Sequence, residues 1–567
     1  MRRAGREPGR SSSRLQPSLF SSARAKSLNR GALIGTLSPM SGVRSRLVLV
    51  AVLAFAALVV GLPAGRSPLW DPNEARYMLL ARDILDSGRW LVPDLRGEPY
   101  LNKPQLFFWS VAVASLPGGE VTERTAALPA VLSSIATVAA VLAIGTSAWG
   151  RQAGAMAALT LVSTIGFFAI GHRGQSDVMV TAWTWWALYC LLRARRAAFT
   201  RAPLVGFYAC VAGAIMSKGP MGLLGLAGGV VAIAATDGWR ATRRLRPLLG
   251  VAVLAVLLLP WYGTYLIAHG PAFVGVVGHY GGWAFRRDAL TRLESLWVLV
   301  YALPWTIFLV GAVAWWRYLP DTERRLIAAW TLTLWLLIGL SGIHRARYLI
   351  PIYPGLALLV GEFIARAGAL RGARALRGAL FAFAAIAGVV AVFGLSPAAR
   401  RIGGEGRPWV PDATGELALT VALLLATAAA AVVTACRSAF VGGGLVVALG
   451  VGATLVVEGV RYPERFAREF DVRPIAAAAQ ALTPPGAAVA VYPDIWLTYD
   501  FYLRRPVVEL DRARVERLLA AAPIGAVIMS RRSWTGLQPL AHPSWRVVAS
   551  RRVASDEMVV LGAGSGA

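Results

Sequence analysis

The chain has 567 residues, 56% of them hydrophobic and only 16% charged, with a formal net charge of +28. A soluble protein of this length needs far more polar surface to cover its core, so a soluble globular domain is excluded and a membrane protein is expected. The positive charge would suit nucleic acid. The basic residues gather in short segments between apolar runs, however, as cytoplasmic loops of membrane proteins do, and no nucleic-acid partner is expected.

In chain order, residues 1–45 form a basic tail rich in Arg, Ser, Pro and Gly, a composition that predicts disorder. The tail lacks the apolar core of a cleaved signal peptide, and Met40, just before the first long apolar run, is an alternative translation start. Apolar runs then recur near 46–65, 124–148, 153–171, 178–193, 203–217, 220–236, 247–268, 294–316, 325–341, 348–366, 379–396, 415–435 and 438–458. Each is close to the length that crosses a bilayer, so the expectation for 46–460 is an all-α polytopic bundle of about 13 transmembrane helices. Segment 104–118 is short and bounded by proline and glycine, and it is read as an interfacial or partly re-entrant helix.

Loop charge sets the orientation. Arg193, Arg195, Arg196 and Arg201 share a side with Arg240, Arg243, Arg244 and Arg246, and with Arg366, Arg371, Arg374 and Arg377. The positive-inside rule makes that side cytoplasmic, together with the N-terminal tail. A multi-pass protein of the bacterial inner membrane follows, with its C-terminus outside. Residues 461–567 alternate short apolar runs (AAVAVY, PVVEL, GAVIMS, RVVAS, MVVLG) with helix-like stretches at 473–482 and 511–522, which predicts a small extracytoplasmic α/β domain. Cys190, Cys210 and Cys436 show no metal-ligand spacing and are read as small buried residues.

The informative loop is 66–103, with six acidic and six basic residues in an otherwise apolar chain. Pro72 can open a helix whose first turn carries Glu74 and Arg76, close to Asp71. By spacing alone, a solvated amphipathic helix on the membrane surface accounts for this slightly better than a reactive site does. Among 58 basic residues only Lys26, Lys103 and Lys218 are lysine, so Lys103 and Lys218 mark positions suited to a compact ammonium, unless they are chance survivals.

The wider pattern shifts that balance. Asp-Pro-Asn-Glu-Ala-Arg-Tyr (71–77), Gly-Arg-Trp-Leu-Val-Pro (88–93) and Gly-Glu-Pro-Tyr-Leu-Asn-Lys-Pro (97–104) resemble the first outer loop of the GT-C membrane glycosyltransferases of the aminoarabinose transferase and protein mannosyltransferase group. Ser176-Asp177, Ser217-Lys-Gly-Pro220 and Tyr348-Leu-Ile-Pro-Ile-Tyr-Pro354 resemble later motifs of that group in the same order.

The resemblance implies an enzyme moving a sugar from a polyprenyl phosphate, undecaprenyl phosphate in a bacterium, to a lipid, glycan or protein acceptor at the outer face. Lipopolysaccharide modification and protein glycosylation are the corresponding roles. Glu74, Asp177 and Asp71 are then the candidate catalytic carboxylates. Asn73, Arg76, Tyr100, Asn102, Lys103, His279, Arg345, Arg347 and Tyr348 are the candidate contacts to donor phosphate and substrate. Lys218 is read as the anchor of a turn.

Two positions depart from the family pattern. Asn73 stands where it has aspartate and Asn102 where it has glutamate, and an amide cannot serve as a general base. No cofactor is required by this reading; a divalent metal at His279 is the weakly supported alternative, because that histidine has no spaced partner, and no metal ligand set is assigned. The alternatives are a transporter or flippase for lipid-linked sugars and a non-catalytic binder of them. A transporter with inverted repeats is disfavoured because no internal repeat is evident.

Overall fold

The computed structural model describes residues 42–69, 72–284, 294–316, 321–341, 346–368, 372–395, 414–493, 496–554 and 556–563. The expected basic tail up to residue 41 lies outside them. One compact unit ends at Val50, and its described part is the start of helix α1 (Gly42–Gly61). The second unit runs from Ala51 to Ala567.

Among the described residues seven helices are long and apolar enough to cross a membrane, or nine if two bent pairs, Arg151–Gly171 and Glu294–Trp316, each count as one span. The chain is therefore a mostly helical, multi-pass membrane protein. The remaining expected spans are helices as well, but shorter, more charged or joined to a neighbour. The apolar part of α1 is short. Ser176–Arg196 carries Asp177 and three arginines, and Thr322–Leu340 carries Glu323, Arg324 and Arg325. Arg201–Asp237 counts once, although a 3-10 turn at Gly219–Gly222 divides it. The cysteines are less buried than expected: Cys436 is exposed at a helix end, and Cys190 and Cys210 are half-buried. Outward apolar side chains on the helix Pro247–Ala284, such as Leu248 at 84% and Ile267 at 89% exposure, fit a lipid-facing surface.

The loop after α1 has a core of its own. Helix α2 (Pro72–Ser87) begins with proline in its first turn and Glu74 near its positive end, both favoured there. It stops at Gly88, which takes φ +72° while its N–H still reaches Ile84 O at 3.0 Å. Ala75, Met78, Ala81 and Ile84 pack against Phe107, Phe108 and Val111 of α3 (Leu106–Ser115), the helix expected at 104–118. Between them β1 (Asp94–Leu95) and β2 (Glu98–Pro99) form a hairpin whose two turn residues, Arg96 and Gly97, both have positive φ. Arg96 is held in that conformation by Asp500 at 2.7 Å and Glu509 at 3.1 Å.

Those two carboxylates belong to the last part of the chain. There the five apolar runs form strands β3 (Val489–Tyr492), β4 (Val507–Glu509), β5 (Val527–Ser530), β6 (Trp545–Val553) and β7 (Asp556–Ala563), in the sheet order β4-β3-β5-β7-β6. β3 is parallel to β4 and β5, and β7 is antiparallel to β5 and β6. The helix Phe440–Phe470 runs through residue 461, where a new domain was expected to begin, and leads into the sheet region. The seven-residue helix Leu497–Leu503 ties this region to the loop. Phe501 O accepts from Arg82 at 3.0 Å, and the Tyr502 hydroxyl takes the Leu69 N–H at 3.0 Å and donates to Glu123 at 2.7 Å.

Candidate active site

Helix ends bring charged side chains to one place. Helix α4 is Ser176–Arg196 and α5 is Arg201–Lys218, so Asp177 sits in the first turn of one and Lys218 in the last turn of its neighbour. Each charge is of the sign its helix terminus favours. Both are buried, at 1% and 8% exposure, and Lys218 Nζ donates to Asp177 Oδ1. Gly219, at φ +63°, ends α5 directly after Lys218. The other Asp177 oxygen, Oδ2, is buried without a hydrogen-bond partner among the described atoms.

The cluster extends from that pair. Lys218 Nζ lies 4.1 Å from the centre of the Tyr348 ring, and the Arg347 guanidinium lies 5.5 Å from the same ring. Both residues are in the 3-10 segment Ala346–Ile352, which Trp185 of α4 anchors by an indole N–H to Pro351 O at 2.9 Å. From the loop, Lys103 Nζ donates to the Tyr77 hydroxyl at 2.6 Å, and Ser176 Oγ stands 3.4 Å from that hydroxyl. Burial first, then the Asp177 charge, push the Tyr77 phenol far up, so it keeps its proton at neutral pH and can donate. Phe107 and Phe108 flank its ring, with centroids 5.4 and 5.3 Å away.

On α2, Asn73, Arg76 and Tyr77 share one face, and Arg76 gives an N–H to Asn73 Oδ1 at 3.1 Å. Tyr100 is buried against Phe108, and its backbone carbonyl accepts from the Tyr265 hydroxyl, which pins the chain just before Lys103. Asn102 is exposed beside Lys103.

Glu74 goes elsewhere. One residue on from Asn73, it points about 100° around the helix. Both of its oxygens accept from Arg173, each at 2.8 Å. The pair lines a separate cavity of about 330 Å³ with Met78, Phe168, His172 and Phe466. His172, whose Nδ1 bonds Phe168 O at 2.7 Å, is lowered to about 4 by burial and by the Arg173 charge.

Of the expected site residues, the structure thus gathers Lys103, Asp177, Arg347 and Tyr348, keeps Asn73 and Arg76 on the adjoining face of α2, and sets Glu74 apart. Asp71, the His279 side chain and Arg345 lie outside the described residues. Sequence reasoning missed Tyr77, which stood inside a quoted motif, and Arg173, which carries no motif. Lys218 joins the cluster as well as anchoring its turn. Among the described residues no three His, Cys, Asp or Glu side chains stand close enough to hold a metal ion.

Residues 102–263 match the family described as dolichyl-phosphate-mannose-protein mannosyltransferase. The chain is 27% identical over 335 residues, 55% of its length, to the undecaprenyl phosphate-alpha-4-amino-4-deoxy-L-arabinose arabinosyl transferase of Pectobacterium carotovorum, covering 58% of that protein. It is 30% identical over 344 residues to the Pseudomonas savastanoi protein of the same name, covering 55% of this chain and 60% of the relative. Among solved structures, ArnT from Cupriavidus metallidurans bound to undecaprenyl phosphate superposes with a TM-score of 0.75 at 20% identity, over 91% of this chain and 98% of that one. The resemblance read from the loops is borne out: the chain has the GT-C fold and is similar to the aminoarabinose transferase and protein mannosyltransferase group. It spans 58% to 60% of the length of these two curated relatives.

Proposed function

We propose that the protein is an integral-membrane glycosyltransferase that moves a sugar from a polyprenyl phosphate, undecaprenyl phosphate in a bacterium, to a lipid, glycan or protein acceptor at the outer face of the inner membrane. The reading includes about 13 crossings, a cytoplasmic N-terminus and a sheet region on the outer side. The observation that carries it is the gathering of Lys103, Lys218 and Arg347 around Tyr77, Tyr348 and a buried carboxylate with one open oxygen.

In the reaction, an acceptor hydroxyl or amine attacks the anomeric carbon of the donor sugar. The bond from that carbon to the phosphate oxygen breaks, and its electron pair leaves on the lipid phosphate. Lys103, Arg76 and Arg347 supply positive charge for the leaving phosphate, and the protonated Tyr77 hydroxyl can donate to it. Asp177 Oδ2 takes the acceptor proton, with Lys218 holding the other oxygen in place. Glu74 is left a supporting role, because Arg173 engages both of its oxygens.

The test is release of free undecaprenyl phosphate from undecaprenyl-phosphate-linked sugars by the purified full chain supplied with a cell-envelope lipid and glycan extract as acceptor. The expected loss is roughly 10²–10⁴-fold in Asp177→Asn, the range of a lost general base. Release that persists in both Asp177→Asn and Lys103→Met would reject the assignment. The amides at Asn73 and Asn102 favour a second reading, a binder of lipid-linked sugar without turnover. Donor binding with no release by the wild type would select it.

A further inference from the structure

A second pocket lies in the sheet region. It opens at the carboxyl ends of the parallel strands β3 and β5, the place where open α/β sheets present ligand crevices. Its volume is about 220 Å³, and its lining includes Tyr492, Trp496, Tyr499, Ser530, Ser533 and Asp556. A water's share of liquid is about 30 Å³, so the pocket has room for about seven waters, a ligand the size of one sugar ring.

Three features define what would fit. Trp496 lines the pocket and is 39% exposed, so part of this large apolar side chain is uncovered there. The Tyr499 hydroxyl is buried without a hydrogen-bond partner among the described atoms, and a buried polar group in that state is costly to leave unmet. Burial, and then the Asp556 carboxylate, push that phenol far up, so it stays protonated and donates. Among the described residues no arginine or lysine lines the pocket, which disfavours an anion as the guest. Aromatic faces take the apolar C–H side of a sugar, while Ser530, Ser533, Asp556 and the phenol meet its hydroxyls.

We propose that this pocket binds a single uncharged saccharide unit, stacked on Trp496 and hydrogen-bonded to the Tyr499 hydroxyl and Asp556. The site is separate from the Lys103 and Asp177 cluster and stands whether or not transfer occurs there. It is linked to that cluster through the chain: Tyr499 is followed directly by Asp500, Phe501 and Tyr502, the residues that hold Arg96, Arg82 and Leu69 of the loop. A glycan seated here would therefore sit on the helix that braces α2.

The experiment uses the purified full chain, with glucose and N-acetylglucosamine as probes and saturation-transfer NMR as the readout. Saturable millimolar binding by at least one probe is expected, unaffected by saturating undecaprenyl phosphate. Tyr499→Phe removes a hydroxyl that has no partner, so the fold should keep its melting temperature while affinity falls at least threefold. Trp496→Ala should lower it at least tenfold. No saturable binding by either probe, displacement by undecaprenyl phosphate, or wild-type affinity in a folded Tyr499→Phe variant would each overturn the proposal. Donor cleavage measured on the same preparations reports on the transfer reaction independently.

Discussion

The Arg173–Glu74 pair offers the sharpest test of how the first loop is built. The Glu74 side chain is 6% exposed and that of Arg173 25%, and two parallel bonds of 2.8 Å join them. Removing one partner of a buried pair costs about 3–5 kcal/mol, because the other charge is left without compensation. Water reaches the arginine side, which places Arg173→Met near about 3 kcal/mol rather than the top of that range. Glu74→Gln keeps the shape and one oxygen acceptor, and the cation it leaves unpaired, Arg173, is the partner that water reaches, so about 1–2 kcal/mol is expected. The double variant should cost less than the sum, since the second change removes the charge the first one strands. Thermal melts of the four proteins in one detergent would show the order wild type, Glu74→Gln, Arg173→Met. Additive shifts, or an Arg173→Met no worse than Glu74→Gln, would refute the pairing argument. Release of undecaprenyl phosphate measured alongside gives a second check. A Glu74→Gln variant that melts normally yet loses activity as fully as Asp177→Asn would make Glu74 a catalytic group after all.

Three further outcomes follow from particular contacts. Asn73→Asp would place a carboxylate on Arg76, now 3.1 Å from the Asn73 amide oxygen. Neutralising that cation should weaken undecaprenyl phosphate binding by about tenfold, about 1.4 kcal/mol, in an equilibrium titration, and tighter binding would contradict the role given to Arg76. His172 is held at about 4 against about 6.5 in an unfolded chain, so the unfolded state binds more protons between those values. Stability should be full above about pH 6.5 and fall, by up to about 3 kcal/mol, as pH drops toward 4. His172→Phe should flatten that part of a melting profile, and an unchanged slope would count against it. Val256 is 72% exposed on a helix of the membrane part. Val256→Arg should cost about 2.5–3.5 kcal/mol of insertion and lower the membrane yield, whereas Val256→Leu should not, and equal yields would remove this face from the lipid.

Much of the architecture was legible because the bilayer writes it into the sequence. Apolar runs of spanning length became helices, and the five apolar runs near the C-terminus became the five strands. The loop motifs singled out Lys103, Asp177 and Tyr348, which lie near one another in the structure because helix termini and a proline-bounded turn fix where those side chains end. What stayed hidden was pairing. Nothing local to Glu74 shows that it faces away from Asn73 and meets Arg173, which is 99 residues on and follows the bent helices at 151–171. The helix Leu497–Leu503 was hidden for the same reason. Its seven residues carry no periodic signal, yet they brace the loop from more than 400 positions away.

The scarcity of lysine proved more telling than any single motif. Of three lysines in the chain, two stand in this cluster, and each ammonium lies over a tyrosine ring, Lys103 at 4.9 Å from Tyr77 and Lys218 at 4.1 Å from Tyr348. A guanidinium is broad and planar and brings five donors, whereas the space beside Asp177 holds a compact head in contact with one oxygen. Lys218→Arg should therefore act as an overpacked core change, costing about 1–3 kcal/mol, despite keeping its charge. Lys103 is only partly buried, so Lys103→Arg should spare stability while moving the charge off the Tyr77 hydroxyl and slowing donor release. If both arginine variants melted and turned over as the wild type does, charge alone would suffice at these positions, and the compact-ammonium argument would have no force.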